Sequence, residues 1–170
     1  MEAWQDLDAV VFGKVYNAVW DRFEEAFQFR PGEQPGIVEP VPSLTYSISA
    51  GYGSDEAHQN LVSDLHVKML SAFRRCTQPE QRLYALDWQH VGFWLYPHEP
   101  FLGEAMSGWQ VPVFPDGNYY IFLSEDFSFG TFGHPWEESL CVFGQSLLNA
   151  LQTDEPELFN RVIRLNGRAT

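Results

Sequence analysis

Between Leu83 and Asn160 the chain has no lysine and no arginine, although eleven aspartates and glutamates fall in that interval, from Asp87 to Glu157. All ten basic residues lie outside it, and the formal net charge of the 170-residue chain is −13. Nucleic-acid binding depends on lysine and arginine displacing condensed counterions, so a phosphate backbone is excluded as a natural partner. An anionic membrane surface is disfavoured for the same reason. Cysteine is almost absent: Cys76 and Cys141 are too few for a disulfide framework and show no metal-ligand spacing. No segment approaches the roughly 18 consecutive apolar residues that would span a bilayer. The first residues, Met1-Glu2-Ala3-Trp4-Gln5-Asp6, lack the basic and apolar regions of a signal peptide. A reduced, cytoplasmic protein is therefore expected, with the negative charge serving solubility. Dinucleotide fingerprints, phosphate-binding loops, a G-x-S-x-G elbow and paired-histidine metal motifs are all missing, so no cofactor is expected.

What the chain does have is apolar bulk. Hydrophobic residues make up 45% of it and aromatic residues 16%, which excludes disorder over the whole length. Residues 1–170 are expected to form one α+β domain, large enough to bury about 70% of the surface its unfolded chain exposes. Val11, Val15, Val19 and Phe23 recur every four residues, widened by Phe12, Tyr16, Trp20 and Phe27, and predict a helix capped by Asp6 or Asp8. It must stop before Pro31-Gly32. A second helix is expected after Ser54, burying Leu61, Leu65, Met69 and Phe73, with Arg74 and Arg75 at its negative end.

Strand signals occupy most of the rest. Leu44, Tyr46 and Ile48 alternate with polar residues, as do Tyr84, Leu86 and Trp88 with their neighbours, and Phe93 to Tyr96 returns the chain. After a loop from Pro97 to Gly108, Trp109, Val111 and Val113 lead into Pro115-Asp116-Gly117-Asn118, which has the residues of a tight hairpin turn. Tyr119 to Leu123, Phe127 to Phe132 and Leu140 to Phe143 follow as strands; Leu147, Leu148 and Leu151 mark a short helix, and a last helix is expected over Leu158, Phe159, Val162 and Ile163. The short turns require a mostly antiparallel sheet of about five to seven strands. The helices are expected on one face, leaving the other partly open and aromatic.

One compact group could carry chemistry. His134 lies between Gly133 and Pro135 and is followed by Trp136, Glu137 and Glu138. A histidine beside a carboxylate is the minimum for general acid–base work, so His134 with Glu137 and Glu138 is the candidate catalytic set, for a hydrolase or transferase with or without a metal. The competing reading is a turn in which the imidazole hydrogen-bonds backbone. Gly130 to Glu138 is expected to form a bent connection at the sheet rim with Trp136 packed inward. On that reading Gly133→Ala costs stability through its φ and His134→Ala costs little. Asp87, His90 and His98 bracket one hairpin and are the weak candidates for a metal, unsupported by spacing. The tips Asp116 and Glu125-Asp126, together with Trp136, are the candidate binding residues, because turn carboxylates stay solvated and project a negative field.

The run Pro-Asp-Gly-Asn-Tyr-Tyr-Ile-Phe-Leu from Pro115, then Asp-Phe-Ser-Phe-Gly-Thr-Phe-Gly-His-Pro-Trp-Glu from Asp126, then Cys-Val-Phe-Gly from Cys141, resembles an uncharacterised bacterial family, domain-of-unknown-function family 2716. The segments around Trp20-Asp21-Arg22-Phe23 and Pro42-Ser43-Leu44 share in the resemblance. It implies a small bacterial single-domain protein and carries over no activity or site. The charge asymmetry then favours a non-enzymatic, acidic protein-binding module, immunity-protein-like, that docks a basic protein. The histidine-centred enzyme is the alternative.

Overall fold

A computed structural model describes residues 1–103 and 106–170. Its centre is one nine-stranded, wholly antiparallel sheet, more strands than the expected five to seven. In chain order the elements are β1 (Trp4–Asp6), α1 (Lys14–Phe27), β2 (Ser43–Ser47), α2 (Glu56–Cys76), β3 (Leu83–Asp87) and β4 (Phe93–Leu95). They continue with β5 (Tyr120–Ser124), β6 (Gly130–His134), β7 (Ser139–Phe143), α3 (Gln145–Gln152), β8 (Val162–Leu165) and β9 (Arg168–Ala169). The spatial order is β1-β4-β3-β5-β6-β7-β2-β8-β9.

Helices cover both faces, not one. Ile121, Leu123, Phe132, Cys141 and Phe143 pack with Val19, Trp20, Phe23 and Phe27 of α1. Phe122, Leu140 and Val142, the alternate residues of the same strands, pack with Leu65, Met69 and Phe73 of α2 and Leu147 and Leu151 of α3. The central strands β6 and β7 are buried at every position, their polar residues Thr131, His134 and Ser139 included, so period-2 alternation there marks no solvent-facing side. The expected open aromatic face is the one α1 fills.

The first helix starts later than its apolar spacing implies. Phe12 has φ of +56°, which ends any helix running through it, and Val10, Val11 and Phe12 are 67%, 63% and 48% exposed. Val15, expected in the core, is also exposed. Asp8 nevertheless does the capping: its carboxylate accepts the N–H groups of Val15 and Tyr16 at 3.0 and 2.8 Å, satisfying two donors of the first turn. For α2 the cap is Asp55 rather than Ser54, its carboxylate accepting the His58 N–H at 3.0 Å.

Two further expectations fail at the ends of the sheet. Residues 109–118 form no strand. Pro112 and Pro115 lack N–H donors, and the Val113 N–H goes to the buried ring of His66 at 3.1 Å, so the segment has little left to offer a ladder. Trp109, Val111, Val113 and Phe114 are buried all the same, as irregular chain beneath α2. Strand β5 pairs with β3 and β6 instead. At the C-terminus, Val162 and Ile163 belong to β8, which pairs with β2 and turns through Asn166-Gly167 into β9. Val162 and Ile163 are β-branched, which suits a strand, and only Leu158 and Phe159 of the expected helix are buried.

Candidate functional site

The strand registers decide which loops share an end of the sheet. Tyr120 opposes both Asp87 and Gly133, His134 opposes Ser139, and Ser47 opposes Ser139 on the other side. Hence the turn after Asp87, the loop 115–119 and the turn 135–138 line one rim. The Glu125-Asp126 turn lies at the opposite rim, because Ser124 pairs with Leu83.

His134 is the last residue of β6, not part of a loop, and is 1% exposed. Its Nε2 donates to the Glu33 carbonyl at 2.7 Å, and its Nδ1 accepts the Glu137 N–H at 3.1 Å. A carbonyl only accepts and an N–H only donates, so the ring is the neutral Nε2–H tautomer with both nitrogens occupied. No lone pair is left to take a proton from a substrate. Tyr119 meets the ring edge-on at 4.9 Å, and Trp136, 59% exposed, stands against Tyr119 at 5.1 Å. Trp136 thus points outward, contrary to expectation. Gly130 and Gly133 have no positive φ; they are needed for space. A Cβ on Gly130 would lie 2.1 Å from the Phe122 carbonyl oxygen, and one on Gly133 would lie 3.0 Å from Pro115.

Glu137 and Glu138 part company. Both terminal guanidinium nitrogens of Arg164 donate to Glu137, at 2.6 and 3.0 Å, and Ser139 Oγ donates to it at 2.6 Å. Burial opposes the charge, but these bonds win and hold its carboxyl below the usual range. The same guanidinium binds Glu39, whose side chain is 1% exposed and also accepts from Thr45 Oγ1. Glu39–Arg164–Glu137 is a closed, hydrogen-bonded triad tying β8 to the loop before β2 and to the β6–β7 turn. Glu138, at φ +54°, remains partly exposed on the rim.

The proposed metal candidates do not converge. His90 Nδ1 donates to Asp87 at 3.0 Å, while Asn118 Nδ2 donates to Asp87 and to the Trp88 carbonyl, both at 2.6 Å. Burial pushes the Asp87 carboxyl up, against the pull of these bonds. His98 is elsewhere, bound to Thr77 at the end of α2. Among the described residues no three metal-ligating side chains form a cluster.

Of the four binding candidates, Asp116 and Trp136 share the Asp87 rim, and Glu125 and Asp126 share the other. Glu125 is paired with Arg82 at 3.1 Å, and Arg22 donates to its carbonyl at 2.8 Å. Asp126 accepts from Ser124 and Ser128, which hold its carboxyl below the usual range. The basic residues flanking the cation-free interval therefore reach in through tertiary structure: Arg82 to Glu125, Arg164 to Glu137 and Lys68 to Asp154. Glu104, another carboxylate of that interval, lies outside the described residues.

On the Asp87 rim no such neutralisation reaches Asp116. Its Oδ1 accepts from Tyr120 at 2.6 Å, and Oδ2 accepts nothing among the described residues. The loops of this rim carry Asp87, Asp116, Glu137 and Glu138 and no lysine or arginine. Sequence reasoning missed Tyr52, whose hydroxyl donates to the Pro115 carbonyl at 2.6 Å beside Asp116, and it missed His66. His66 could have been noticed as a histidine inside the apolar stripe of α2; nothing local marks Tyr52.

No described helix is long and apolar enough to cross a membrane. No solved structure matches the chain. A Bacillus subtilis (strain 168) protein described as the uncharacterized protein YxiI is 37% identical over 145 residues, which cover 83% of this chain and 90% of that one. The sequence profile of the proteins of unknown function designated DUF2716 matches residues 12–148, a span that runs from the turn before α1 into α3 and takes in both packed faces of the sheet. With most of its length matched by the profile and by this relative, the chain belongs to the DUF2716 family.

Proposed function

We propose that the protein is a non-enzymatic binding module that docks a basic protein surface on the Asp87–Asp116–Glu138 rim. The observation that carries this reading is the placement of Asp116 and Glu138, which no lysine or arginine meets among the described residues, beside the exposed ring of Trp136 on one rim, while Glu125 on the opposite rim is paired with Arg82. An exposed tryptophan supplies buried area at a contact, and the carboxylates supply steering and orientation. The docking residues are accordingly Asp116, Trp136 and Glu138, with Glu125 and Asp126 outside the contact. Acidic domains that neutralise a basic toxin, as immunity proteins do, are the class of module this resembles in charge and size. A cytoplasmic setting fits its two unpaired cysteines. The alternative, a hydrolase or transferase built on His134 with Glu137 and Glu138, has no supporting observation, since the imidazole and Glu137 are already fully engaged.

The test is affinity capture from the native cell with the wild-type protein, with Asp116→Lys/Glu138→Lys and with Glu125→Lys. A basic protein is expected with the wild type and with Glu125→Lys, lost with the double variant, and recruited more slowly as salt rises, because screening acts within about 8 Å at physiological ionic strength. Capture that ignores both salt and the double variant overturns the proposal.

A further inference from the structure

Beside the same rim, on the face covered by α2, lies a cleft of about 460 Å3 between the 51–53 turn, the first turns of α2 and the loop carrying Phe114 and Asp116. Small-ligand sites typically fall between about 300 and 1,000 Å3. We propose that this cleft binds a guanidinium group carried on an apolar stem.

Its wall is aromatic and fixed. The rings of Tyr52 and Phe114 meet at 4.6 Å, and the Tyr52 hydroxyl is tied to the Pro115 carbonyl. Gly51 permits this wall: a Cβ there would come within 2.6 Å of Phe114 Cε2. Val62 continues the apolar lining from α2. The charge stands at the mouth. Asp116 is exposed, its Oδ1 is oriented by Tyr120, and its Oδ2 is open for a donor. Among the described residues neither lysine nor arginine lines the cleft, and its histidine, His58, turns Nδ1 to the carboxylate of Asp55. The Tyr52 phenol is pushed up first by burial, then by the carboxylates of Glu138 and Asp116, so the potential that disfavours a phenolate here favours a cation.

A guanidinium suits this arrangement better than an ammonium. It is planar and weakly hydrated, stacks on aromatic rings, and presents two parallel N–H groups to a carboxylate. Its apolar stem would lie along Val62 and Phe114. The group could belong to a free guanidino compound or to an arginine side chain of the docked protein; the second source rests on the docking function proposed above.

The experiment is an amide NMR titration of the whole chain with N-butylguanidinium and with its neutral counterpart, N-butylurea. Saturable shifts are expected at Gly51, Tyr52, Gly53 and Ser63 with the guanidinium, and affinity weaker by at least about tenfold for the urea. Asp116→Asn keeps an acceptor for Tyr120 and is expected to weaken the guanidinium about tenfold. Ser63→Trp, which fills the cleft from α2, is expected to abolish binding while the remaining spectrum stays dispersed. No saturable shift, equal affinity for the urea, or insensitivity to both variants overturns the inference. An arginine-centred tetrapeptide binding more tightly than N-butylguanidinium, with its citrulline version inactive, identifies the protein source; equal or weaker binding identifies the free compound. Guanidinium binding together with capture that ignores the rim reversal leaves the cleft standing and removes the docking function. Rim-dependent capture without guanidinium binding does the reverse.

Discussion

His134 Nε2 donates to the Glu33 carbonyl at 2.7 Å across 101 residues of sequence, and His66 performs the mirror-image task on the other face. There Nδ1 donates to the Val62 carbonyl at 2.8 Å and Nε2 accepts the Val113 N–H at 3.1 Å. The two rings are opposite tautomers doing the same thing. Each pins an irregular segment, the proline-rich 31–42 stretch or the 109–115 stretch, and at Val113 the buried N–H would otherwise have no partner.

His134→Ala should therefore destabilise the protein by about 2 to 4 kcal/mol, because it leaves the Glu33 carbonyl and Glu137 N–H unpaired and opens a void. Gly130→Ala should cost about 3 kcal/mol or more, since its Cβ would collide with backbone that cannot step aside. Gly133→Ala should cost least, as its Cβ meets only the Pro115 ring at 3.0 Å. Urea denaturation of the three variants gives the order, and it is the reverse of what Gly-His-Pro implies when read as a turn. A smaller loss for His134→Ala than for Gly133→Ala would show that the imidazole holds nothing.

His66 should make the protein acid-sensitive well above the carboxylate range. Burial lowers its pKa to about 4, against an ordinary value of 6.5. In the unfolded chain the ring takes up a proton as pH falls below 6.5, while the folded ring stays neutral until about 4. Unfolding then binds the extra proton, so stability is complete above 6.5 and is lost as pH falls toward 4. The loss is on the order of 3 kcal/mol at 1.36 kcal/mol per unit. Urea midpoints from pH 7 to 4.5 should fall for the wild type and flatten over that window for His66→Gln, even though the variant starts lower. Parallel profiles would assign the acid sensitivity to other groups.

Arg164→Ala should cost about 3 to 5 kcal/mol, because it strands the buried carboxylates of Glu39 and Glu137. Glu39→Gln/Glu137→Gln/Arg164→Met removes all three charges together and should recover most of that loss. Thermal melts of the two variants compare them directly; equal destabilisation would mean that the triad acts through packing rather than charge.

At the neutralised rim, Glu125→Gln should cost less than about 1 kcal/mol, as befits a half-exposed pair. Arg82→Ala should cost more, since its guanidinium also lies 3.5 Å over the Trp94 ring and its stem covers apolar surface. Denaturant midpoints of the two single variants test the ordering.

Residues close in sequence determined the local structure. The periodicity of Val19, Phe23 and Phe27, the alternation of Leu44 with Tyr46, the β3–β4 hairpin and the antiparallel pairing after it all follow from spacing and turn length, as does the α+β class. The interval without lysine or arginine was equally plain. What the sequence left open was decided between distant segments. That α1 crosses to the face opposite α2 was hidden because every residue of β6 and β7 is buried, so neither strand has a polar side to mark solvent. The failure of 109–118 to become a strand depends on a histidine 47 residues away taking the Val113 donor. Which carboxylates are paired depends on Arg82, which meets Glu125 on one rim, and on Arg164, which meets Glu137 on the other, and both enter the acidic interval from outside it. Hydrogen bonds and ion pairs of this kind have no periodicity. They are set by which surfaces the folded sheet brings within 3 Å, and only the tertiary structure brings Tyr52, Phe114 and Asp116 together into a cleft.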